Sequence, residues 1–389
     1  MRNHFRFKSF FQKNFILNSF FVPYLCAMNI FLQKEPFFIA GPCSIESKEY
    51  LEEIFMAFQD MPITMIRGGV WKPRSKPGFF EGKGVEALEW IQSMSRKYQQ
   101  TFCIEVANKE QVEKAIQYGI KAVWIGARTS VNPFMVQEIA DALKGTSMAV
   151  MVKNPINPDT ELWCGAIERI QAAGIESIAA IHRGFSSYDN SSEYRNKPIW
   201  AIPIEIKRRY KQLPIICDVS HICGKKNLLL PTAQKALDLD FDGLMVEVHP
   251  QPEKALSDAQ QQITPTEFKH FIKQLIIRKS SCDSVQNEIE SIRSILDTMD
   301  AEIIELIAKR MNLVKELGKP KVLNNIVIFQ QERWRQIVKT RTNWGENNAL
   351  DNNFILKLFE LIHDTSIKMQ IDLSKSIQDE NAGLNSNPL

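Results

Sequence analysis

The sequence has few of the features that mark secreted, zinc-ribbon or nucleic-acid-binding proteins. Its seven cysteines are odd in number, irregularly spaced and include no Cys-x-x-Cys pair, so neither a disulfide framework nor a zinc ribbon is indicated. Free thiols are typical of a reducing compartment, and we expect a cytoplasmic protein. The formal net charge is only +3 over 389 residues. We therefore expect no nucleic-acid partner, although a local cluster of cations could still bind anionic small molecules.

Long apolar runs are also missing, and we expect no membrane partner. The most apolar stretch near the N-terminus, residues 15–27, is too short to span a bilayer and is interrupted by Asn18, Ser19 and Pro23. Because this segment starts with basic residues and ends at the small residue Ala27, it weakly resembles a signal peptide. The alternative, which we favour, is an unstructured extension over residues 1–35, or a start codon upstream of the true one.

Between residues 36 and 272, short apolar runs alternate with amphipathic stretches of helical spacing. Continuous apolar runs with β-branched residues are typical of parallel strands that are buried on both faces. Eight strand–helix units predict an α/β fold, a closed (β/α)₈ TIM barrel. The eight runs are residues 37–40, 63–66, 102–106, 122–125, 149–152, 177–181, 214–217 and 244–246.

The pattern changes after the barrel, where a polar linker precedes an all-α helical domain. Apolar residues recur at steps of three and four from Val285 to Leu317, which predicts a long helix that needs a partner helix. We expect further helices near residues 331–339 and 354–371. The predicted boundaries are a linker at 273–284, a helical domain at 285–374 and a disordered tail at 375–389.

The residues that close the apolar runs are unusually rich in charged and metal-binding groups. In a TIM barrel the strands end at the catalytic face, so these side chains should share one rim. One group consists of cations, which would repel one another without a phosphate or carboxylate ligand: Arg67, Lys72, Arg74, Arg128, Lys153 and Arg183. The other group offers a thiol, an imidazole and two carboxylates that suit Mn²⁺, Fe²⁺, Co²⁺ or Zn²⁺: Cys43, His221, Glu247 and Asp258.

The motifs around these residues resemble 3-deoxy-D-arabino-heptulosonate 7-phosphate (DAHP) synthase of the compact bacterial type I beta branch, over about residues 36–268. This branch is related to the synthase of the eight-carbon sugar acid KDO 8-phosphate. The matching motifs are Gly41-Pro42-Cys43-Ser44, Arg67-Gly68-Gly69-Val70-Trp71-Lys72-Pro73-Arg74-Ser75, Ile125-Gly126-Ala127-Arg128, Ser220-His221-Ile222-Cys223-Gly224, Val246-Glu247-Val248-His249-Pro250 and Ala255-Leu256-Ser257-Asp258.

The resemblance implies condensation of phosphoenolpyruvate with erythrose 4-phosphate and water, the first step of the shikimate pathway. It implies that Cys43, His221, Glu247 and Asp258 bind a divalent metal, with Lys72, Cys43 and His221 as catalytic groups. Pro73 favours the four-carbon aldose, and a KDO 8-phosphate synthase is the alternative. The implied phosphoenolpyruvate contacts are Arg67, Lys72, Arg128, Lys153 and Arg183; Arg74 and Ser75 would bind the aldose phosphate, and Glu105 and Asp218 would support the site.

Residues 283–373 resemble the all-helical (type II) chorismate mutases, which convert chorismate to prephenate. The resemblance implies a carboxylate clamp of Arg293, Arg310 and Arg333. It also implies ether or ring contacts from Lys321 and Gln370, with Ser366 as a further contact and Arg310, Lys321 and Gln370 as catalytic groups. It further implies that Arg293 acts across a dimer, and we expect a homodimer or homotetramer.

The helical segment departs from the mutase pattern at three positions. Gln330 and Trp334 stand where many mutases have acidic residues, and Pro320 precedes Lys321, where we expect it to disturb the helix. These changes remove a hydroxyl-binding carboxylate. The alternative interpretation is therefore a regulatory module that senses chorismate or prephenate, with little turnover of its own.

Overall fold

The computed structural model describes residues 30–31, 36–72, 77–187, 192–278 and 285–384, the last seven of these as backbone only. The chain forms two compact units, Met1–Ser280 and Ser281–Leu389. Most of the extension predicted at 1–35 lies outside the described residues. So do Arg74 and Ser75, whose predicted role therefore stays a prediction.

Eight parallel strands form a closed barrel in which each strand pairs with the next and β8 pairs with β1. The predicted TIM barrel is thereby confirmed, and every apolar run named above contributes a strand. The strands are β1 Phe37–Gly41, β2 Met65–Arg67, β3 Phe102–Val106, β4 Ala122–Ile125, β5 Ala149–Lys153, β6 Ile178–His182, β7 Ile215–Asp218 and β8 Gly243–Glu247.

Helices follow the strands and cover the outside of the barrel. Several begin at a capping side chain, such as Asn108, Asn132 and Asp159, whose oxygens accept from free backbone N–H groups. The helices of this unit are α1 Lys48–Ala57, α2 Val85–Tyr98, α3 Lys109–Gln117, α4 Pro133–Leu143, α5 Thr160–Ala172, α6 Ala201–Arg209, α7 Val219–Cys223, α8 Leu229–Asp238 and α9 Pro265–Gln274.

Each strand buries both of its faces, which explains why the runs are continuously apolar. In β1, Phe37 and Ile39 join the cluster inside the barrel, whereas Phe38 and Ala40 pack against the surrounding helices. The inner cluster also contains Phe31, whose ring centroid lies 5.8 Å from that of Phe37, the first residue of β1. The apolar filling therefore extends past the amino ends of the strands, and the opposite rim carries the polar side chains.

The second unit consists of three helices: α10 Gln286–Leu323, α11 Gln331–Asn347 and α12 Asn352–Leu384. The helix α12 packs against both α10 and α11. Gly318 lets α10 approach α12 closely, since a Cβ atom there would lie only 3.0 Å from Leu373 and 3.1 Å from Gln370. The predicted partner for the long helix is therefore present within the unit.

Two details of the helical unit differ from the sequence-based expectations. Pro320 does not end α10, which continues to Leu323: proline has no N–H to donate to the preceding turn, but its carbonyl still accepts from Asn324. The helix α12 continues to Leu384, into the tail that we expected to be disordered from residue 375. That polar segment contains no proline before Pro388 that would end the helix. Among the described helices, none is both long and apolar enough to cross a bilayer.

Candidate functional site

Three of the four predicted metal ligands meet at the carboxyl-terminal rim of the barrel. The register pairs Gly41 of β1 with Glu247 of β8, which places Cys43 beside the Glu247 carboxylate. The Cys43 Sγ atom and one carboxylate oxygen each of Glu247 and Asp258 all lie within 4.8 Å of one another. His221 lies outside this tight cluster but borders it, with Nε2 3.7 Å from Glu247 Oε1.

The donor set fits a divalent cation on a structural criterion. Glu247 Oε1 is buried and accepts no hydrogen bond from any described residue, although Arg67 Nη2 lies 3.1 Å away as an ion-pair partner. Burial, reinforced by Glu247, raises the pKa of the Cys43 thiol to about 12. The neutral thiol lies 3.4 Å from Asp258 Oδ2. A cation at this point would satisfy the Glu247 oxygen and would favour the thiolate.

His221 is held by a buried aspartate that also neutralises a lysine. Asp218 Oδ1 lies 2.9 Å from His221 Nδ1, and Asp218 Oδ2 accepts from Lys153 Nζ at 2.7 Å. Burial lowers the pKa of His221 despite the Asp218 charge. His221 and Lys153 overcome the burial of Asp218 and hold its pKa well below the ordinary value. A neutral imidazole with Nδ1 held by a carboxylate leaves Nε2 free to bind a metal.

Two residues that the sequence patterns did not reveal, Arg195 and Gln261, hold the carboxylates of Asp258 and Glu247. Arg195 Nη1 donates to Asp258 Oδ1 at 2.9 Å and to Gln261 Oε1 at 2.7 Å. Gln261 Nε2 in turn donates to Glu247 Oε2 at 2.6 Å. Asp258 itself has a left-handed backbone, with φ of 48°. Burial opposes ionisation of Asp258, but Arg195 holds its pKa below the ordinary value.

The described cations of the predicted phosphoenolpyruvate site lie around the same rim. Lys72 Nζ is 3.1 Å from both the carbonyl oxygen and Sγ of Cys43. Arg67 and Lys153 both lie over the Trp124 ring, 5.0 and 5.5 Å from its centroid. Arg183 donates to Asn196 at 2.8 Å, and burial lowers the pKa of Arg183 to about 10.

A cleft of about 400 Å³ opens between these groups. The Glu105 carboxylate is oriented there by Trp124 Nε1, which donates to Oε2 at 3.0 Å. A Cβ atom at Gly126 would lie 2.1 Å from Glu105 Oε1, so a side chain there would displace this carboxylate. The residues that line the cleft are Lys72, Glu105, Ala127, Arg128, Lys153, Ile156, Arg183, Ser186, Arg195, Asn196, His221 and Asp258. The cleft therefore combines a cationic wall with the groups of the candidate metal site.

In the helical unit, the structure brings together some of the predicted mutase residues. Arg310 of α10 donates to Ser366 Oγ of α12 at 2.9 Å. Gln370 lies one turn further along α12 and is buried, and its Oε1 accepts no hydrogen bond from any described residue. Lys321 donates to the carbonyl of Ile328 at 2.8 Å. Arg310, Ser366 and Gln370 therefore form one polar patch between α10 and α12, whereas Lys321 contacts the segment after α10.

The other two predicted clamp residues are exposed. Arg333 on α11 contacts Gln336 at 3.4 Å. Arg293 lies 17 residues before Arg310 on α10, which is about 25 Å along a helix, and pairs with Glu290. Within one chain, Arg293 is therefore not part of the patch, and its predicted role across a dimer stays a prediction.

Sequence reasoning missed one further cation of this unit, Arg341. Burial, together with the charge of Arg333, lowers the pKa of Arg341. Burial also lowers the pKa of Arg310, and the charge of Arg341 adds to this effect. The guanidinium lies over the Trp344 ring, 4.6 Å from its centroid. The position follows no motif, so only the folded structure associates it with the other arginines.

Comparison with known proteins assigns the barrel. The DAHP synthetase I family profile matches residues 32–281. The chain belongs to this family. The phospho-2-dehydro-3-deoxyheptonate aldolase of Thermotoga maritima is 31% identical over 237 residues, which cover 61% of this chain and 68% of that protein. The crystal structure of the Thermotoga maritima enzyme superposes with a TM-score of 0.56 at 30% identity, with the same coverage of each chain.

Residues 292–371 match the profile of chorismate mutase type II. The bifunctional chorismate mutase/prephenate dehydratase of Buchnera aphidicola subsp. Schizaphis graminum is 36% identical over 100 residues, which cover 25% of this chain and 26% of that protein. The 2-dehydro-3-deoxyphosphooctonate aldolase of Wolinella succinogenes is 24% identical over 264 residues, or 61% of this chain and 97% of that protein. The chain thus carries a DAHP synthase domain followed by a type II chorismate mutase domain, and the resemblance drawn from the motifs is confirmed.

Proposed function

We propose that the barrel condenses phosphoenolpyruvate with erythrose 4-phosphate and water, to give DAHP and phosphate. The observation that carries this proposal is the position of the Cys43, Glu247 and Asp258 cluster against the cationic wall of one cleft. Family membership favours the four-carbon aldose, because the octulosonate relatives are less similar. The KDO 8-phosphate alternative is accordingly the weaker one.

The residues present divide the work of the reaction between them. Cys43, His221, Glu247 and Asp258 would hold Mn²⁺, Fe²⁺, Co²⁺ or Zn²⁺, and such an ion supplies a Lewis acid for the aldehyde oxygen. Lys72, Arg128, Lys153 and Arg183 bind the phosphate and carboxylate charges of phosphoenolpyruvate, with Arg67 at the base of the site. The two substrates are thereby held in contact. Because their translational and rotational entropy is already lost on binding, it no longer adds to the barrier of the reaction.

A coupled assay tests this assignment. The purified protein should consume phosphoenolpyruvate with erythrose 4-phosphate and far less with arabinose 5-phosphate. A chelator should abolish the activity, and added Mn²⁺ should restore it. Cys43→Ala should lose at least 100-fold in kcat/KM, and none of the four metals should rescue it. Cys103→Ala is the control: it removes another buried thiol, inside the barrel, and should keep its activity. Equal turnover of the two aldoses would reject the substrate assignment.

For the helical unit, we propose rearrangement of chorismate to prephenate. Arg310, Ser366 and Gln370 of the patch, together with Lys321, would supply donors for the two carboxylates and the ether oxygen of a folded conformer. Such preorganised donors suffice for a reaction without covalent intermediates. The full chain should convert chorismate, and Arg310→Leu should lower kcat/KM by about 100-fold. A module that only senses chorismate or prephenate would instead bind them without turnover and inhibit the barrel.

We also propose that two or four copies of the chain associate. The N-terminal half of α10 exposes a row of large apolar side chains that includes Ile292, Leu296, Met299 and Ile303, more than a solvated helix usually presents. If a second copy packed on this surface, Arg293 of each chain would lie near the other chain. Sedimentation of wild type and of Leu296→Lys tests the association. The cytoplasmic location stays a prediction from the sequence.

A further inference from the structure

A stack of aromatic rings borders the patch formed by Arg310, Ser366 and Gln370. The imidazole of His363 lies on the indole of Trp334, with ring centroids 4.2 Å apart and an interplanar angle of 31°. The ring of Phe329 meets the same imidazole edge-on, at 5.8 Å and 76°. Two aromatic partners from different segments therefore fix the plane of the histidine ring.

The position of His363 on α12 places it in the site. Residues 363, 366 and 370 are separated by three and four positions, so they share one helix face. Ser366 on this face already accepts a hydrogen bond from Arg310. Phe329 follows Ile328, whose carbonyl accepts from Lys321. His363 is thus adjacent to the groups that the proposed function uses. It contacts Trp334, the residue after Arg333.

The patch has many donors and few acceptors. Arg310 and Lys321, the two cations that act on His363, have no acceptor atom in their charged groups, and the Ser366 hydroxyl oxygen is already engaged. The indole of Trp334 also donates only. A ligand that carries two carboxylates and a hydroxyl group needs an acceptor for that hydroxyl. A neutral imidazole provides one, in addition to the buried Oε1 of Gln370.

We propose that His363, held against Trp334, is a substrate-binding residue of the helical unit that accepts a hydrogen bond from the hydroxyl group of a cyclic hydroxy-dicarboxylate. The inference rests on the proposed mutase function and specifies how this chain binds the hydroxyl end of its ligand. It explains how a site can operate with a tryptophan next to the clamp residue Arg333.

The charges around the imidazole favour the form that accepts. The helix α10 faces it with Arg310 and Lys321, α12 contributes Asp364, and α11 contributes the Trp334 ring. Burial is the largest influence, and with the two cations it lowers the pKa of His363 despite Asp364. The imidazole is therefore neutral at neutral pH and loses its acceptor when it is protonated in acid.

The test measures kcat and KM for chorismate in the full chain from about pH 5 to about pH 8. For wild type, kcat/KM should fall on the acid side and level off about tenfold lower, once His363 is protonated and its acceptor is lost. His363→Leu should be about tenfold weaker at neutral pH, mainly in KM, which is the loss expected for one hydrogen bond. It should also lack the acid limb. His363→Gln keeps an acceptor, so it should recover most of the loss and remain independent of pH.

His270→Gln is the matched control, because it removes an exposed histidine of the other unit and should keep the wild-type profile. An unchanged KM and acid limb in His363→Leu would overturn the proposal. Failure of wild type to convert chorismate would instead reject the mutase function. In that case calorimetric titration with prephenate decides the role of His363: about tenfold weaker binding by His363→Leu supports it, and equal affinity overturns it.

Discussion

Arg195 and Asp258 form a link between the substrate cleft and the candidate metal site. Arg195 Nη1 holds Asp258 Oδ1 at 2.9 Å, so that Oδ2 faces the sulfur of Cys43 at 3.4 Å. The same guanidinium contacts Gln261, which donates to Glu247. One arginine thus orients two of the predicted carboxylate ligands, one directly and one through an amide.

We expect removal of this support to weaken metal binding. Groups that orient metal ligands typically contribute 10- to 100-fold in affinity, and we predict about a tenfold weaker Co²⁺ complex for Arg195→Leu and for Gln261→Leu. Titration followed by the sulfur-to-cobalt absorption band measures this without reference to turnover. Gln261 does not line the cleft, so its variant separates metal binding from substrate binding.

Arg278→Leu is the control for this experiment, since Arg278 forms an exposed ion pair with Asp238 and should leave the cobalt affinity unchanged. Wild-type affinity in both Arg195→Leu and Gln261→Leu would show that the carboxylates are oriented by the rest of the loop. Tighter binding in Arg195→Leu alone would mean that the guanidinium competes with the metal for Asp258.

The barrel could be predicted from the sequence because its strands are buried on both faces. Such strands produce uninterrupted apolar runs, and the next polar residue marks the rim of the barrel. This reasoning found Cys43, Arg67 and Glu247. It could not find Arg195, which lies in a loop 13 residues after the end of β6, at His182. Loop positions follow no period, so only the fold shows which loop residue reaches the site.

The helical unit shows a similar limit. The steps of three and four predicted a long helix, but not that Gly318 and Pro320 would lie inside it. A proline removes its own N–H donor to the preceding turn, and the sequence alone does not show whether the surrounding contacts let the helix continue past it. His363 also lacks a motif. Its importance follows from the packing of α12 against Trp334 and Phe329.

Two helical glycines should respond in opposite ways to alanine. Gly165 lies inside α5, and a Cβ atom there would meet nothing within 4 Å. Gly165→Ala should therefore stabilise the barrel unit by about 0.5–1 kcal/mol, because alanine loses less backbone entropy in a helix. At Gly345 in α11, a Cβ atom would lie 2.5 Å from Ile355 Cγ1. Gly345→Ala should destabilise the helical unit by about 1–3 kcal/mol.

Urea unfolding followed by circular dichroism measures both free energies, and each substitution serves as a control for the other unit. We expect the transition of the barrel unit to shift to higher urea in Gly165→Ala only. A destabilised Gly165→Ala would indicate that this position faces a neighbour in the assembled protein. A neutral Gly345→Ala would indicate that α11 and α12 can separate at little cost.

His182 should make the barrel unit sensitive to acid. Its ring is fully buried among aromatic side chains, with centroids 5.4 Å from Trp200, 5.7 Å from Phe185 and 6.2 Å from Phe241. Burial lowers the pKa of His182 to about 3, whereas the unfolded chain binds the proton near the ordinary value of about 6.5. Between these two values the unfolded state holds more protons, so stability falls as the pH falls through this range.

His182→Leu removes the titrating group and roughly conserves its volume. Relative to its own value at pH 8, the wild-type barrel unit should lose about 2 kcal/mol of unfolding free energy at pH 5 through this residue. His182→Leu should lose correspondingly less, and urea midpoints at the two pH values measure the difference. His270→Gln, which alters an exposed histidine, should retain the wild-type dependence. An equal loss in wild type and His182→Leu would assign the acid sensitivity to other groups, such as His221, whose lowered pKa has the same sign of effect in this pH range.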